Sequence, residues 1–165
     1  MTIIQLLLKE LEQEARTTRK MLAIVPDDKF DWRPHPKSMN IRSLAGHIAE
    51  LPTWVTMTFT TDELDFAAAP YTPPNINTTA ELLAHFEKCL ADGRTQLVEE
   101  NAHLLDKPWT LRNGDTIYST DPKIDVIRMA FSQIIHHRAQ LGVFLRLLDV
   151  PIPGSYGPSA DDPSF

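Results

Sequence analysis

Hydrophobic residues along this chain recur mostly at spacings of three and four, the period of a helix with one buried face. Ile4, Leu7, Leu8, Leu11, Ala15 and Leu22 follow that rule. Thr2 and Gln5 stand ahead of them at capping-box spacing, which predicts a first helix over residues 2–24. Proline-rich Asp31-Trp32-Arg33-Pro34-His35-Pro36 ends any helix before it. Asn40 is a good N-cap, and Met39 and Leu44 are placed to form a hydrophobic staple. A second helix is therefore expected over 40–60, bent at Pro52. Residues 61–77, rich in Pro, Asn and Thr, read as a loop. Thr78 to Glu81 form another capping box, and Leu82, Leu83, Phe86, Leu90 and Leu97 give a third helix over 78–101.

The period changes in 109–118, where Asn113-Gly114 separates two short alternating runs. That is a hairpin signal. Asp121-Pro122 reads as an N-cap with proline at the first helical position, opening a fourth helix over 121–148. Its stripe is Ile127, Ala130, Ile134, His137, Leu141, Phe144 and Leu148, with His137 at the centre. Pro151, Pro153 and Gly154 stop it. Four amphipathic helices with a long crossover predict an all-α four-helix bundle, a single domain over 1–165.

Composition narrows the function classes. A length of 165 residues and 42% hydrophobic content allow one sizeable core. The formal net charge is -6 and no Lys/Arg patch is concentrated anywhere, which argues against nucleic acid as a partner. The first ten residues lack a basic signal-peptide region, and no run of about 18 apolar residues predicts a membrane span. Cys89 is the only cysteine, so no intrachain disulfide forms and a cytoplasmic location is expected.

Candidate chemistry gathers on two helices. An imidazole in an apolar stripe needs a partner for its polar atoms. His137 is one such residue; His47, which shares a face with Leu44, Ile48 and Leu51, is another. Histidines on facing helices can meet across an interior and hold a metal. Gln133, four residues before His137, offers an amide oxygen as a third ligand. Each histidine is equally compatible with an ordinary core position, bonded to a carbonyl or to water. His136 is turned about 100° from His137 on an ideal helix and reads as a supporting or interface residue. His35, His85 and His103 read as solvated, although His85 lies four residues before Cys89 and would lower its thiol pKa.

Three segments resemble the DinB/YfiT-like family of metalloenzymes. They are Asp31-Trp32-Arg33-Pro34 with the following Ile41 to Glu50, then Ile135-His136-His137-Arg138-Ala139-Gln140-Leu141, and the tail from Val150 to Asp162. The resemblance implies an up-down-down-up four-helix bundle and a homodimer. It also implies a divalent metal held by three histidines, one on helix two and an H-x-x-x-H pair on the last helix. Nickel, zinc, iron and manganese are all compatible. His47 and His137 match the first and last positions, and Gln133 stands where the family usually has the second histidine. Some relatives that use mycothiol have Glu there. Characterised relatives act with low-molecular-weight thiols such as bacillithiol and mycothiol. Two functions follow as expectations. One is a metal-dependent thiol S-transferase acting on a small molecule, with His47, Gln133 and His137 as ligands. The other is a non-catalytic module that binds a small ligand or a protein through a degenerate site.

Overall fold

The structure, a computed structural model, describes residues 1–68 and 71–163. Among the described residues are five α-helices: α1 (Ile3–Leu22), α2 (Ile41–Glu50), α3 (Thr53–Thr60), α4 (Thr79–Gln96) and α5 (Lys123–Leu147). Three strands accompany them: β1 (Glu63–Asp65), β2 (Pro108–Asn113) and β3 (Thr116–Pro122). The all-α expectation is therefore wrong. The chain is mixed, with one three-stranded sheet in the order β1-β2-β3. Strands β2 and β3 pair antiparallel across Gly114, whose φ of 57° gives the turn its left-handed residue. Strand β1 pairs parallel with β2, Leu64 beside Leu111.

The expected loop over 61–77 concealed β1, because three residues carry too little alternation to register and their partner lies far along the chain. Charge holds the pairing. Arg112 bonds Glu63 at 2.7 Å and Asp65 at 3.0 Å, and Asp65 accepts from the Gly114 N–H at 2.8 Å. Residues 69 and 70 of that loop lie outside the described residues.

Helix ends follow their caps. Thr2 and Gln5 form the reciprocal capping box at the start of α1. Thr78 accepts from the Glu81 N–H, while the Glu81 carboxylate reaches one residue further back, to the Asn77 N–H. The expected second helix is two, α2 and α3, broken at Leu51-Pro52 because proline has no N–H to donate. Gly93 of α4 lies directly beneath the break, where a Cβ would meet the Pro52 carbonyl oxygen at 2.4 Å. The third expected helix ends at Gln96, and residues 99–104 wind as 3-10 turns instead. Asp121 is not an N-cap: it pairs with Trp109 in the sheet, and β3 runs straight into α5. Lys123 is buried at that junction and donates to the Thr61 carbonyl at 2.7 Å. Helix α5 stops at Asp149, which takes a positive φ of 57°.

Helices α1, α2 and α3 each pack on both α4 and α5, and α5 also touches β2 and β3. The buried core includes Leu7, Leu11, Leu44, Ile48, Phe86, Leu90, Phe131 and Leu141. On α5 the core face runs through Ile127, Ile134, Arg138, Leu141 and Leu145. Arg138, rather than His137, sits at its centre. His137 stands at the edge of that face, half-buried. Among the described residues, no helix is long and apolar enough to cross a membrane.

Candidate metal centre and its cavity

The break between α2 and α3 shapes the site. It leaves His47 and Glu50 at the end of α2, with Trp54 and Met57 following on α3. All four line one cavity of about 760 Å3. Gln133 and His137 of α5 line the same cavity, so the structure brings the three expected ligands to one place. The rings of His47 and His137 are 4.9 Å apart, centre to centre, and meet edge to face.

Each of these imidazoles is held in the same manner. His47 Nδ1 lies 2.8 Å from Glu50 Oε1, and His137 Nδ1 lies 2.8 Å from Gln140 Oε1. A carboxylate or amide oxygen only accepts, so both Nδ1 atoms carry the proton. In a neutral ring so held, the lone pair is on Nε2, the tautomer a metal ligand needs. Burial also pushes the His137 pKa down, helped by the two neighbouring histidines and opposed by Gln140, so the ring is neutral at neutral pH.

Glu50 is itself fixed. Its second oxygen accepts from the Tyr71 hydroxyl at 3.0 Å. Burial and the adjacent Glu50 carboxylate raise the Tyr71 pKa well above its usual value, so the phenol stays protonated and donates. The side chains of His47 and Glu50 are only 25% and 17% exposed. Sequence reasoning missed Glu50 and Tyr71. A signal for Glu50 existed: a carboxylate three residues after an inward histidine shares its helix face, and Gln140 repeats that spacing after His137. Tyr71 carried no signal, since it reaches Glu50 from a segment without helical or strand period.

The donor set suits a divalent ion in part. It offers two imidazoles with free Nε2 atoms and one neutral amide oxygen. Among the described residues, no three His, Cys, Asp or Glu side chains are grouped closely enough to hold a metal.

The remaining candidates fall elsewhere. His136 is exposed, and its ring stands 4.9 Å from that of His137. His35 accepts from the Lys37 N–H, and His103 Nδ1 lies 2.8 Å from the Glu100 carbonyl. His85 does lie near Cys89, with Nε2 3.6 Å from the sulfur. The expected lowering of the thiol pKa does not occur, because burial and then the Glu50 charge push it up to about 11. The tail does not reach the cavity. Tyr156 bonds Arg138 and Glu14, and Asp161 bonds Arg146.

Solved structures share this fold. A DinB-like protein from Bacillus cereus aligns with a TM-score of 0.68 at 20% identity, over 91% of this chain and 95% of that one. A DinB-like protein from Bacillus subtilis gives 0.66 at 18%, over 90% and 96%. A mycothiol-dependent maleylpyruvate isomerase gives 0.60 at 14%, over 86% of this chain and 61% of its own greater length. No curated protein matches the sequence. The DinB family model matches residues 1–164, and the chain belongs to the DinB family.

Proposed function

We propose that this protein is a metal-dependent enzyme that joins or exchanges a small thiol at the cavity between α2, α3 and α5. One observation carries the reading: two imidazoles from different helices converge, each with Nδ1 protonated by contact with an oxygen and Nε2 free. His47 and His137 would hold a divalent ion through those nitrogens, with the Gln133 amide oxygen as a weaker third ligand. A bound ion of this kind supplies a Lewis acid that lowers the pKa of a coordinated thiol or water. Glu50 fixes the His47 tautomer, and Tyr71 holds Glu50 in turn. The transferase step would form a bond from the thiol sulfur to an electrophilic carbon while the bond from that carbon to its leaving group breaks; the leaving group takes the electron pair, and the thiol proton passes to solvent water. The mycothiol dependence of one structural neighbour supports a thiol as partner. A homodimer, expected from the family resemblance, belongs to the same reading.

The competing reading is a non-catalytic binding module. Among the described residues, no three His, Cys, Asp or Glu side chains are placed to hold a metal, which favours it. Elemental analysis of untagged protein separates the two. The enzyme reading expects metal near one equivalent, lost in His137→Ala, and metal-dependent turnover across a panel of thiols and electrophiles. Protein that is metal-free and resists loading overturns it.

A further inference from the structure

The cavity combines walls of opposite character. His47, Gln133 and His137 lie together on α2 and α5, whereas Met57, Leu64, Phe66 and Leu111 come from α3, the sheet and its connection. Among the described residues, no lysine or arginine lines it, and its one formally charged side chain is Glu50, an anion. The arginines next in sequence to lining residues are turned to other partners. Arg42 bonds Asp31 at 3.1 Å and also Asn77, and Arg112 is held by Glu63 and Asp65. A carboxylate or phosphate placed against the apolar wall would lose its hydration with no cation to replace it, which opposes its binding. Three methionines, Met39, Met57 and Met129, face the same space. Their flexible thioethers adapt to aromatic and aliphatic shapes. Trp54 adds an aromatic surface whose ring lies 6.3 Å from that of Trp109.

We infer that the molecule accepted by this cavity is an uncharged, apolar compound of aromatic character, and that carboxylated or phosphorylated compounds are rejected by the wall built from Met57, Leu64, Phe66 and Leu111. This deepens the proposed function by naming the class of its electrophilic substrate, and it rests on that reading only for the location of the site. An anionic group could be tolerated solely at the histidine pair, where a bound cation would compensate it. The apolar wall selects the body of the ligand.

The test uses the full chain in excess EDTA, so that it does not depend on metal. Binding of 4-nitrobenzyl alcohol and of 4-nitrobenzoate is measured by calorimetry and by quenching of tryptophan fluorescence. The alcohol is expected to bind at least tenfold more tightly than the carboxylate, with much of the quenching lost in Trp54→Phe. Leu64→Arg and, separately, Met57→Lys should narrow or reverse the preference, with circular dichroism confirming that each variant folds. Equal or tighter binding of the carboxylate by the wild-type chain overturns the inference. So does failure of the alcohol to bind, or a preference that a folded cationic variant leaves unchanged. The preference found in EDTA, together with protein that is purified without chelator, holds no metal and resists loading, would remove the enzyme reading and leave this one standing. Protein that holds near one equivalent of metal as purified but shows no preference once stripped in EDTA would do the reverse.

Discussion

His137 and Arg138 are neighbours on α5, yet they serve opposite ends of the polar chemistry available to a helix. His137 looks into the cavity with one nitrogen engaged and one free. Arg138 is 3% exposed, with all its described contacts satisfied within the protein. Its guanidinium bonds the Glu14 carboxylate at 2.7 Å, the Thr18 hydroxyl at 3.0 Å and the Tyr156 hydroxyl at 2.8 Å, and Tyr156 donates to Glu14 at 2.6 Å. That network ties α5 to α1 and to the tail. A polar group that closes its hydrogen bonds inside the protein specifies structure, and one left with an open valence in a cavity is free for a ligand. One residue of helical rotation, about 100°, separates the two roles.

The sharpest way to break that comparison is to truncate each residue in turn. Arg138→Ala leaves the Glu14 charge buried and unpaired, and is expected to destabilise the fold by about 3–5 kcal/mol. Replacing the pair together, Glu14→Leu with Arg138→Met, should recover much of that loss, because no charge is then stranded. His137→Ala removes a half-buried ring and should cost about 1 kcal/mol or less in metal-free protein. Urea denaturation of the variants measures all of these. A His137→Ala loss as large as that of Arg138→Ala would show that the histidine is a structural residue and not a ligand.

Glu50 sharpens the comparison on the cavity side. Glu50→Gln keeps the shape of the side chain but replaces the carboxylate that fixes the His47 ring. Loss of such an outer partner typically weakens metal affinity by about 10- to 100-fold. The expected result is that shift in a metal titration, with the thermal midpoint of metal-free protein nearly unchanged. An unaltered affinity would mean that an amide oxygen holds the His47 ring as well as the carboxylate does, as Gln140 holds His137, and that the Glu50 charge contributes nothing to the metal.

How much of this was legible beforehand depends on the length of the signal. The helices, three of their caps and the β2-β3 hairpin followed from local patterns, because capping residues and turn residues act within four or five positions. Strand β1 did not, since Glu63-Leu64-Asp65 is held by Arg112 from 49 residues away in its pair with Glu63. The break at Pro52 was visible as a bend but not as two helices, because its depth depends on how closely Gly93 of α4 lets the backbone approach. The three expected ligands do line one cavity. Centring the α5 stripe on His137 was wrong for a physical reason. Arginine counts as polar in any pattern, yet here it is buried because Glu14 lies across from it on α1, a pairing no local window contains. The apolar wall was equally hidden, as it is assembled from α3, β1 and β2.

The smallest expected effect concerns the polar contacts that belong to neither class, the half-exposed ion pairs between α1 and α4. Arg94 bonds Glu12, with a second contact of 2.8 Å, and Arg19 bonds Glu87 at 3.0 Å. The hydrogen bond from Arg94, with its charge, holds the Glu12 carboxyl below its usual pKa, despite an opposing contribution from burial. A carboxyl whose pKa is lower in the folded chain than in the unfolded one stabilises the fold above the unfolded value, near 4.5. That contribution fades as pH falls through the folded value. The Glu12 and Arg94 side chains are 36% and 38% exposed, so water and salt screen the pair. Glu12→Gln should therefore lower stability at pH 7 by less than about 1 kcal/mol. The deficit should shrink in high salt, and it should close progressively as the pH is lowered below about 4.5, where the wild-type carboxylate begins to protonate. Denaturation midpoints of the two proteins compared from pH 7 to pH 3 measure this. A deficit that stays constant across the range would assign the loss to packing of the Glu12 side chain and place the α1–α4 contact with the Arg138 network, among the groups whose work is structural at every pH.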